Sequence, residues 1–164
     1  MSAHRDEVDR LIAAWKRERP DLDLSPFAVL SRISRISRNL DIARRDAFAD
    51  LETWDFDVLA ALRRAGDPYQ LSPGELMQET LVTSGTMTNR LDHLEELKLV
   101  TRQPDPDDGR GSLVTLTASG MRAVDKALDG LLEHERDLLK GLTREQRAAL
   151  SELLSVLAAH LEES

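Results

Sequence analysis

The sequence predicts a mainly α-helical protein that carries one small β-hairpin. Of its 164 residues, 41% are hydrophobic, 32% are charged and only 4% are aromatic, which is typical of helical proteins rich in Leu, Ala, Arg and Glu. Apolar side chains recur every three or four residues along most of the chain. One stretch differs, because the β-favouring runs 99–103 and 112–117 flank a loop that contains two prolines and three aspartates.

Three helices are expected before the middle of the chain. The apolar stripe from Val8 to Trp15 has helical spacing, and Pro20 ends this first helix. Ser25 is followed by a proline and is expected to cap a long second helix. Thr53 is expected to cap a third helix that stops at Gly66.

A short helix and a longer one follow, joined by a brief turn. Ser72 and Glu75 form a capping box with a proline between them, which opens the short helix. Thr83 is expected to cap the longer helix, which runs to Leu97. Two helices joined so closely form a helix-turn-helix candidate. With the hairpin directly behind them, they have the arrangement of a winged helix.

Two long amphipathic helices are expected after the hairpin. Thr117 caps the first and Gly141 ends it, while Thr143 and Gln146 form a second capping box that opens the last helix. The apolar stripes at both ends of the chain exceed what a small winged-helix core needs. Large apolar faces favour partners, so we expect a homodimer.

The length of the chain predicts one domain. Its parts are the N-terminal helices in 1–50, the winged helix-turn-helix in 53–117 and the C-terminal dimerisation helices in 118–164.

Composition also argues against several classes of protein. The chain has no cysteine, so disulfides and thiolate chemistry are excluded. No apolar run approaches the roughly 20 residues of a membrane span, and the N-terminus does not resemble a signal peptide. We therefore expect a cytoplasmic protein. Its four histidines are scattered outside any HExxH, phosphate-loop or serine-elbow motif, so no enzyme activity, metal or cofactor is expected.

The loop between the two β-favouring runs carries a specific pattern. Asp108-Gly-Arg110, followed after five residues by Leu116-Thr117, resembles the wing signature of the MarR family of transcription regulators. That resemblance implies a dimeric winged-helix protein that binds palindromic double-stranded DNA. It also implies that Arg110 enters the minor groove, where the potential is negative, and that Asp108 holds its guanidinium. The alternative is an ordinary charged hairpin loop.

The helix after Thr83 is the candidate recognition helix. Met87, Leu91, Leu94 and Leu97 are expected to form its buried side. The candidate DNA contacts on its other faces are Ser84, Thr86, Thr88, Asn89 and His93. Small uncharged side chains suit a helix that enters the major groove. However, residues 84–112 contain four basic and six acidic residues, so phosphate contacts must come from a few well-placed groups.

A second resemblance concerns a possible ligand site. Residues 13–26 and 56–64 look like the urate-responsive branch of the MarR family. The matching positions are Trp15, Asp57, Arg64 and Arg90. The resemblance implies that Trp15 packs on a flat ring, that Arg90 pairs with a ligand anion, and that the ligand acts on Asp57 to move the recognition helix.

Simpler explanations exist for these positions. Trp15 fits an ordinary core position, and Asp57 and Arg64, roughly 10 Å apart along one helix, fit solvated surface charges. Arg90, at the edge of the buried face, could pair with a nearby carboxylate.

The sequence thus predicts a ligand-responsive transcription regulator that acts as a repressor. We expect it to leave a palindromic operator when a small anion such as urate, another purine or an organic acid binds. The alternative is a helical homodimeric interaction protein on the same scaffold that does not bind an operator, which the excess of acidic residues near the recognition helix favours.

Overall fold

The computed structural model describes residues 5–48, 51–106 and 111–162. These ranges contain seven helices and three short strands. The helices are α1 (Glu7–Glu18), α2 (Ser25–Ala47), α3 (Thr53–Arg64), α4 (Pro73–Thr80), α5 (Ser84–Glu96), α6 (Ala118–Leu138) and α7 (Arg144–Glu162). The strands are β1 (Gln70–Leu71), β2 (Val100–Pro104) and β3 (Ser112–Leu116). None of these helices combines the length and apolar character that crossing a bilayer needs.

The chain forms two compact units, which divide between Arg44 and Arg45. In the first unit, ion pairs connect α1 and α2. Arg32 donates to the carboxylates of Asp6 and Asp9, each at 2.7 Å. The same two aspartates form a capping box at the start of α1, so Arg32 offsets part of the negative charge at this end of the helix.

The second unit is built around α3. Val58, Leu59 and Leu62 are fully buried, and the core around them includes side chains from α4, α5, β2, β3 and α6. α3 supplies buried residues on more than one side of the helix because other elements pack around it. The winged helix-turn-helix therefore forms around the third helix.

The predicted hairpin is confirmed and is part of a larger sheet. β2 pairs antiparallel with β3 in a register that runs from Val100 opposite Leu116 to Pro104 opposite Ser112. The two-residue strand β1, which the sequence did not predict, pairs with the other edge of β3. The tip of the wing, including Asp108 and Arg110, lies outside the described residues.

Several helix starts match their predictions. Ser72 and Glu75 form the expected capping box. Thr117 accepts the Gly120 N–H at 2.9 Å. Thr143 and Gln146 also cap each other, with the Thr143 N–H 2.8 Å from the side-chain oxygen of Gln146. Local polar pairs of this kind satisfy the free N–H groups of a helix start, which is why they can be recognised in a sequence.

Two predicted caps are shifted. Glu52, and not Thr53, is the N-cap of α3, because the Asp55 carboxylate accepts the Glu52 N–H at 2.9 Å. Ser25 is the first residue of α2 and is preceded by the Asp23 side chain, which accepts its N–H at 2.9 Å.

The predicted burial of Leu97 is wrong. Its residue surface is 46% exposed, whereas Met87, Leu91 and Leu94 are buried as predicted. Leu97 is the C-cap of α5, at the end of the apolar stripe, and it lines an apolar cavity together with Phe48 and Leu51.

The start of α6 packs directly against the chain before β2, and this contact predicts the effect of one substitution. A Cβ on Gly120 would overlap the carbonyl oxygen of Leu99 and lie 2.8 Å from Cδ1 of Leu116. Because a backbone carbonyl cannot rotate away, we expect Gly120→Ala to lower the free energy of unfolding by about 3 kcal/mol. Urea denaturation would measure this. Gly85→Ala is the matched control, since Gly85 has open space around it. This variant should raise the free energy of unfolding by about 0.5–1 kcal/mol. Equal stability of the two variants would contradict the prediction.

Candidate nucleic-acid interface

The exposed side of α5 carries the predicted polar residues. Ser84, Thr86, Thr88 and Asn89 are all exposed, because Met87, Leu91 and Leu94 turn the opposite side into the core. The Thr88 hydroxyl donates to the Ser84 carbonyl at 3.1 Å. The first half of α5 therefore presents small, uncharged donors and acceptors beside the free N–H groups of its first turn.

Leu81 shapes the turn that leads into this helix. It is the C-cap of α4 and adopts the left-handed conformation, with φ of 53°. This conformation reverses the chain between α4 and α5, so that Thr83 can begin the next helix. The two helices thus have the short connection that a helix-turn-helix requires.

His93 faces α3 as well as solvent. Its ring centroid lies 5.2 Å from that of Trp54, and its Nε2 lies 4.0 Å from Oδ2 of Asp55. The His93 side chain keeps 44% of its surface exposed. This histidine, proposed from the sequence as a DNA contact, thus also links the recognition helix to α3.

Asp55 is a functional candidate that the sequence did not indicate. It is 1% exposed and is the buried charged residue of the described core. Its Oδ2 accepts the Glu52 N–H, whereas Oδ1 has no hydrogen-bond partner within the described ranges. Burial raises the pKa of this carboxyl above its usual range, although the Glu52 hydrogen bond and the His93 charge oppose the shift.

Arg90 is half-buried, as its position on the edge of the apolar stripe predicted. Its guanidinium carbon lies 5.5 Å from the centre of the Trp54 ring, close enough for a cation–π contact. Its charge also lowers the pKa of the Asp55 carboxyl. The inward-facing arginine is thus stabilised by an aromatic ring and a buried carboxylate, which both belong to α3.

A second ion-pair cluster connects α5 to the wing. Arg102 of β2 lies 2.6 Å from Oδ1 of Asp92 and 2.6 Å from Oε2 of Glu95. Its backbone N–H also donates to Oε1 of Glu95 at 3.2 Å. One arginine thus bridges two acids of the recognition helix, which offsets part of the local acidic excess.

Comparison with known proteins identifies the family. Residues 49–111 match the model of the MarR family. The regulator PecS of Dickeya dadantii is 35% identical over 157 residues, which cover 94% of this chain and 95% of PecS. The chain belongs to the MarR family.

Solved structures of MarR-family proteins share the fold. A MarR mutant from Escherichia coli complexed with operator DNA is 28% identical with a TM-score of 0.70, covering 84% of this chain and 98% of that one. Bordetella bronchiseptica BpsR, from a study of its regulation by 6-hydroxynicotinic acid, is 25% identical with a TM-score of 0.67, covering 79% of this chain and 92% of that one. The mainly helical fold with a small wing is thus the MarR fold.

The four predicted ligand residues of this MarR-family chain lie in different surroundings. Trp15 belongs to the first unit and is 49% exposed. Asp57 is half-buried on α3, and Arg64 is exposed with its guanidinium 3.2 Å from Oε2 of Glu79. Arg90 contacts Trp54. The structure therefore pairs Arg64 with an acid on α4, and the four-residue site stays a prediction.

A separate cavity of about 450 Å³ was not foreseen from the sequence. Its walls are mainly apolar and include Phe48, Leu51, Leu97 and Leu99, with Lys126 as the basic residue among them. The exposure of Leu97 is explained by this cavity, since its side chain faces the cavity instead of the core.

The Arg102 cluster predicts a pH-dependent contribution to stability. The hydrogen bond from Arg102 holds the pKa of the Glu95 carboxyl below its ordinary value of 4.5. An acid whose pKa is lowered in the folded protein stabilises the fold above its unfolded pKa. It loses that contribution as pH falls through the folded pKa. We therefore expect Arg102→Ala to lower the free energy of unfolding by about 1 kcal/mol at neutral pH.

Urea denaturation at neutral pH and at about pH 3 would test this, because the difference from the wild type should shrink in acid. Arg122→Ala is a suitable control, since the Arg122 guanidinium donates to a neutral partner, the Ser119 hydroxyl. A difference that stays constant across this pH range would argue against the ion pair.

Proposed function

We propose that this protein is a homodimeric MarR-type repressor that binds a palindromic operator and leaves it when a small anionic ligand binds. The observation that carries the proposal is the surface of α5. Its first half exposes small uncharged side chains, and two acids of its second half are bridged by Arg102. This arrangement suits a helix that enters a major groove by its N-terminal half.

DNA contact is assigned to two elements. Residues 84–93 lie in the major groove, where Ser84, Thr86, Thr88 and Asn89 meet phosphates or base edges. His93 contacts DNA at the edge of this surface. Arg110, braced by Asp108, enters the adjoining minor groove, where a guanidinium meets strong negative potential. The solved complex of a MarR mutant with operator DNA supports a DNA-binding role for this fold.

The two-fold arrangement is supported by apolar surface on the last two helices. No described residue of α7 is buried, and large apolar side chains of α6 and α7 are exposed. They include Leu128, Leu132, Leu138, Leu153, Val156 and Leu161. Such a surface favours a symmetric partner. A two-fold dimer requires half-sites about one helical turn apart on one face of the DNA.

The ligand is proposed to be an aromatic or purine-like anion such as urate. Trp15, Asp57, Arg64 and Arg90 are the proposed ligand residues, with Arg90 as the partner of the anion. A ligand anion near Arg90 would compete with the contacts that this residue makes with Trp54 and Asp55. The ligand would thereby favour a conformer of α5 that fits DNA less well. The BpsR study, which concerns an aromatic acid, supports this ligand class.

An interaction protein on the same scaffold is the second candidate. It is favoured by the excess of acidic residues in 84–112, which opposes phosphate binding. The Arg102 bridges weaken this argument only locally, because they place one positive charge between two of those acids. Retention on an anion exchanger without operator binding at low salt would support this candidate.

Fluorescence anisotropy with the DNA upstream of its own gene would test DNA binding. We expect saturable binding to weaken roughly tenfold in Arg110→Ala, because one minor-groove cation is lost. The slope of log affinity against log salt should fall by about 1. Arg19→Ala removes a matched arginine that pairs with Asp21 in the first unit and should leave affinity unchanged. Equal affinity of Arg110→Ala and wild type would remove the wing assignment.

The ligand site predicts a different pattern. Urate should release the wild type from its operator, whereas Trp15→Ala and Arg90→Gln should need roughly tenfold more urate, since each loses a direct contact with the ligand. Affinity for DNA without ligand and the midpoint of urea unfolding should be recorded for each variant. Urate sensitivity that survives both changes would mean that the ligand binds elsewhere.

A further inference from the structure

One contact between α3 and α5 is costly for folding. Asp55 is almost completely buried, and its Oδ1 has no partner within the described part of the chain. A buried carboxylate with an unused oxygen costs free energy unless charges or hydrogen bonds compensate it. The hydrogen bond from the Glu52 N–H satisfies only Oδ2. The capping box explains an acceptor at this position but leaves Oδ1 without a partner among the described residues.

The compensating charges lie on the recognition helix. His93 Nε2 is 4.0 Å from Oδ2 of Asp55, and the charge of Arg90 also favours the ionised carboxylate. Both residues contact the Trp54 ring, which lies next to Asp55 on α3. Arg90 and His93 are three residues apart, so they project from the same face of α5. The first turn of α3 thus holds α5 by two neighbouring side chains.

The two cations of this contact differ in their response to pH. A guanidinium keeps its charge at all physiological pH values, whereas an imidazole changes charge between about pH 5 and pH 8. Glu52 on α3 is the other acid that acts on Asp55. Asp92, the acid next to His93, is held by Arg102. The interaction of Asp55 with an imidazole can therefore respond to pH, whereas its interaction with a guanidinium does not.

We propose that Asp55 is a positioning residue for the recognition helix, and that it makes operator binding depend on the protonation of His93. Protonated His93 is attracted to the buried carboxylate and holds α5 against α3 in the position that fits DNA. Loss of the proton removes this attraction and leaves Arg90 alone. This inference rests on the proposed role of α5 in binding DNA.

The Asp55→Asn substitution should affect the stability of the protein and its operator binding in different ways. An acid whose pKa is raised in the folded protein contributes stability below its unfolded pKa, and that stability is lost as pH rises through the folded pKa. The ionised Asp55 is therefore unfavourable for folding at neutral pH. Asp55→Asn keeps an oxygen for the Glu52 N–H and removes the buried charge. Its urea midpoint should not fall below that of the wild type, while its pH response on DNA should be lost.

The test is operator affinity of the full chain at about pH 6 and about pH 8. The wild type should bind about fivefold tighter at the lower pH, a ratio expected for a partly exposed ion pair. Asp55→Asn and His93→Gln should each remove this ratio. Asp21→Asn, which removes a carboxylate in the first unit that pairs with Arg19, should retain it. That control accounts for the general effect of losing one negative charge.

Other results would overturn the inference in distinct ways. If His93→Gln removes the pH response and Asp55→Asn keeps it, His93 acts on DNA directly and Asp55 has no part. If neither variant changes the response, the contact does not position α5. Absence of operator binding by the wild type would instead refute the proposed function.

A double-mutant cycle measured by urea unfolding would test the interaction between Asp55 and His93 without DNA. Residues 55 and 93 should be coupled at about pH 6 and uncoupled at about pH 8. Coupling that is absent at both values, or equal at both, would overturn the inference by itself.

Discussion

The burial of one face of α5 is the constraint on which the proposed DNA-binding surface depends. Met87, Leu91 and Leu94 are all buried against the core around α3. Burying a large apolar side chain contributes about 1.5–3 kcal/mol, so a rotation of the helix that exposed these three would be strongly unfavourable. The same packing determines that residues 84, 86, 88 and 89 face outward. Hydrophobic burial thus sets the orientation, and polar side chains supply the possible specificity.

The ion pairs on this surface matter more for its local electrostatic potential than the total charge of the chain. The chain carries a formal net charge of −8, which by itself opposes binding to a polyanion. Arg102 lies between Asp92 and Glu95. Local ion pairs of this kind reduce the repulsion that an approaching phosphate would meet. Pairing therefore lowers the local repulsion near α5, although residues 84–112 still contain more acidic than basic residues.

The proposed role of Asp55 would place a functional group where it opposes stability. Most residues of the α3 core are apolar and stabilise the fold, but this carboxylate is buried with one oxygen unused. Such groups are expected where a protein needs a response as well as a stable fold. Its neighbours on α5 are an arginine and a histidine, and the first of these is also proposed to contact the ligand. Ligand and protons would then act on the same contact between α3 and the recognition helix.

Much of the fold could be predicted from the sequence because its signals are local. The capping boxes at Ser72 and Thr143, the stripe that buries Leu91, and the β-favouring runs of the wing all involve residues within a few positions of one another. Helical and strand periodicity depends only on such spacings. The polar face of α5 followed from the same periodicity.

Tertiary structure decided the features that join distant segments. The strand β1 exists because β3 offers a free edge, and two residues alone give no strand pattern. Leu97 continues the apolar stripe of α5 but lines a cavity instead of the core. The contact of Asp55 with His93 joins residues 38 positions apart, and Arg102 reaches acids on another element. The sequence by itself determined which helices form and which of their faces are apolar, whereas packing alone decided which charges meet, since a charge has no preferred partner until folding brings one within a few ångströms.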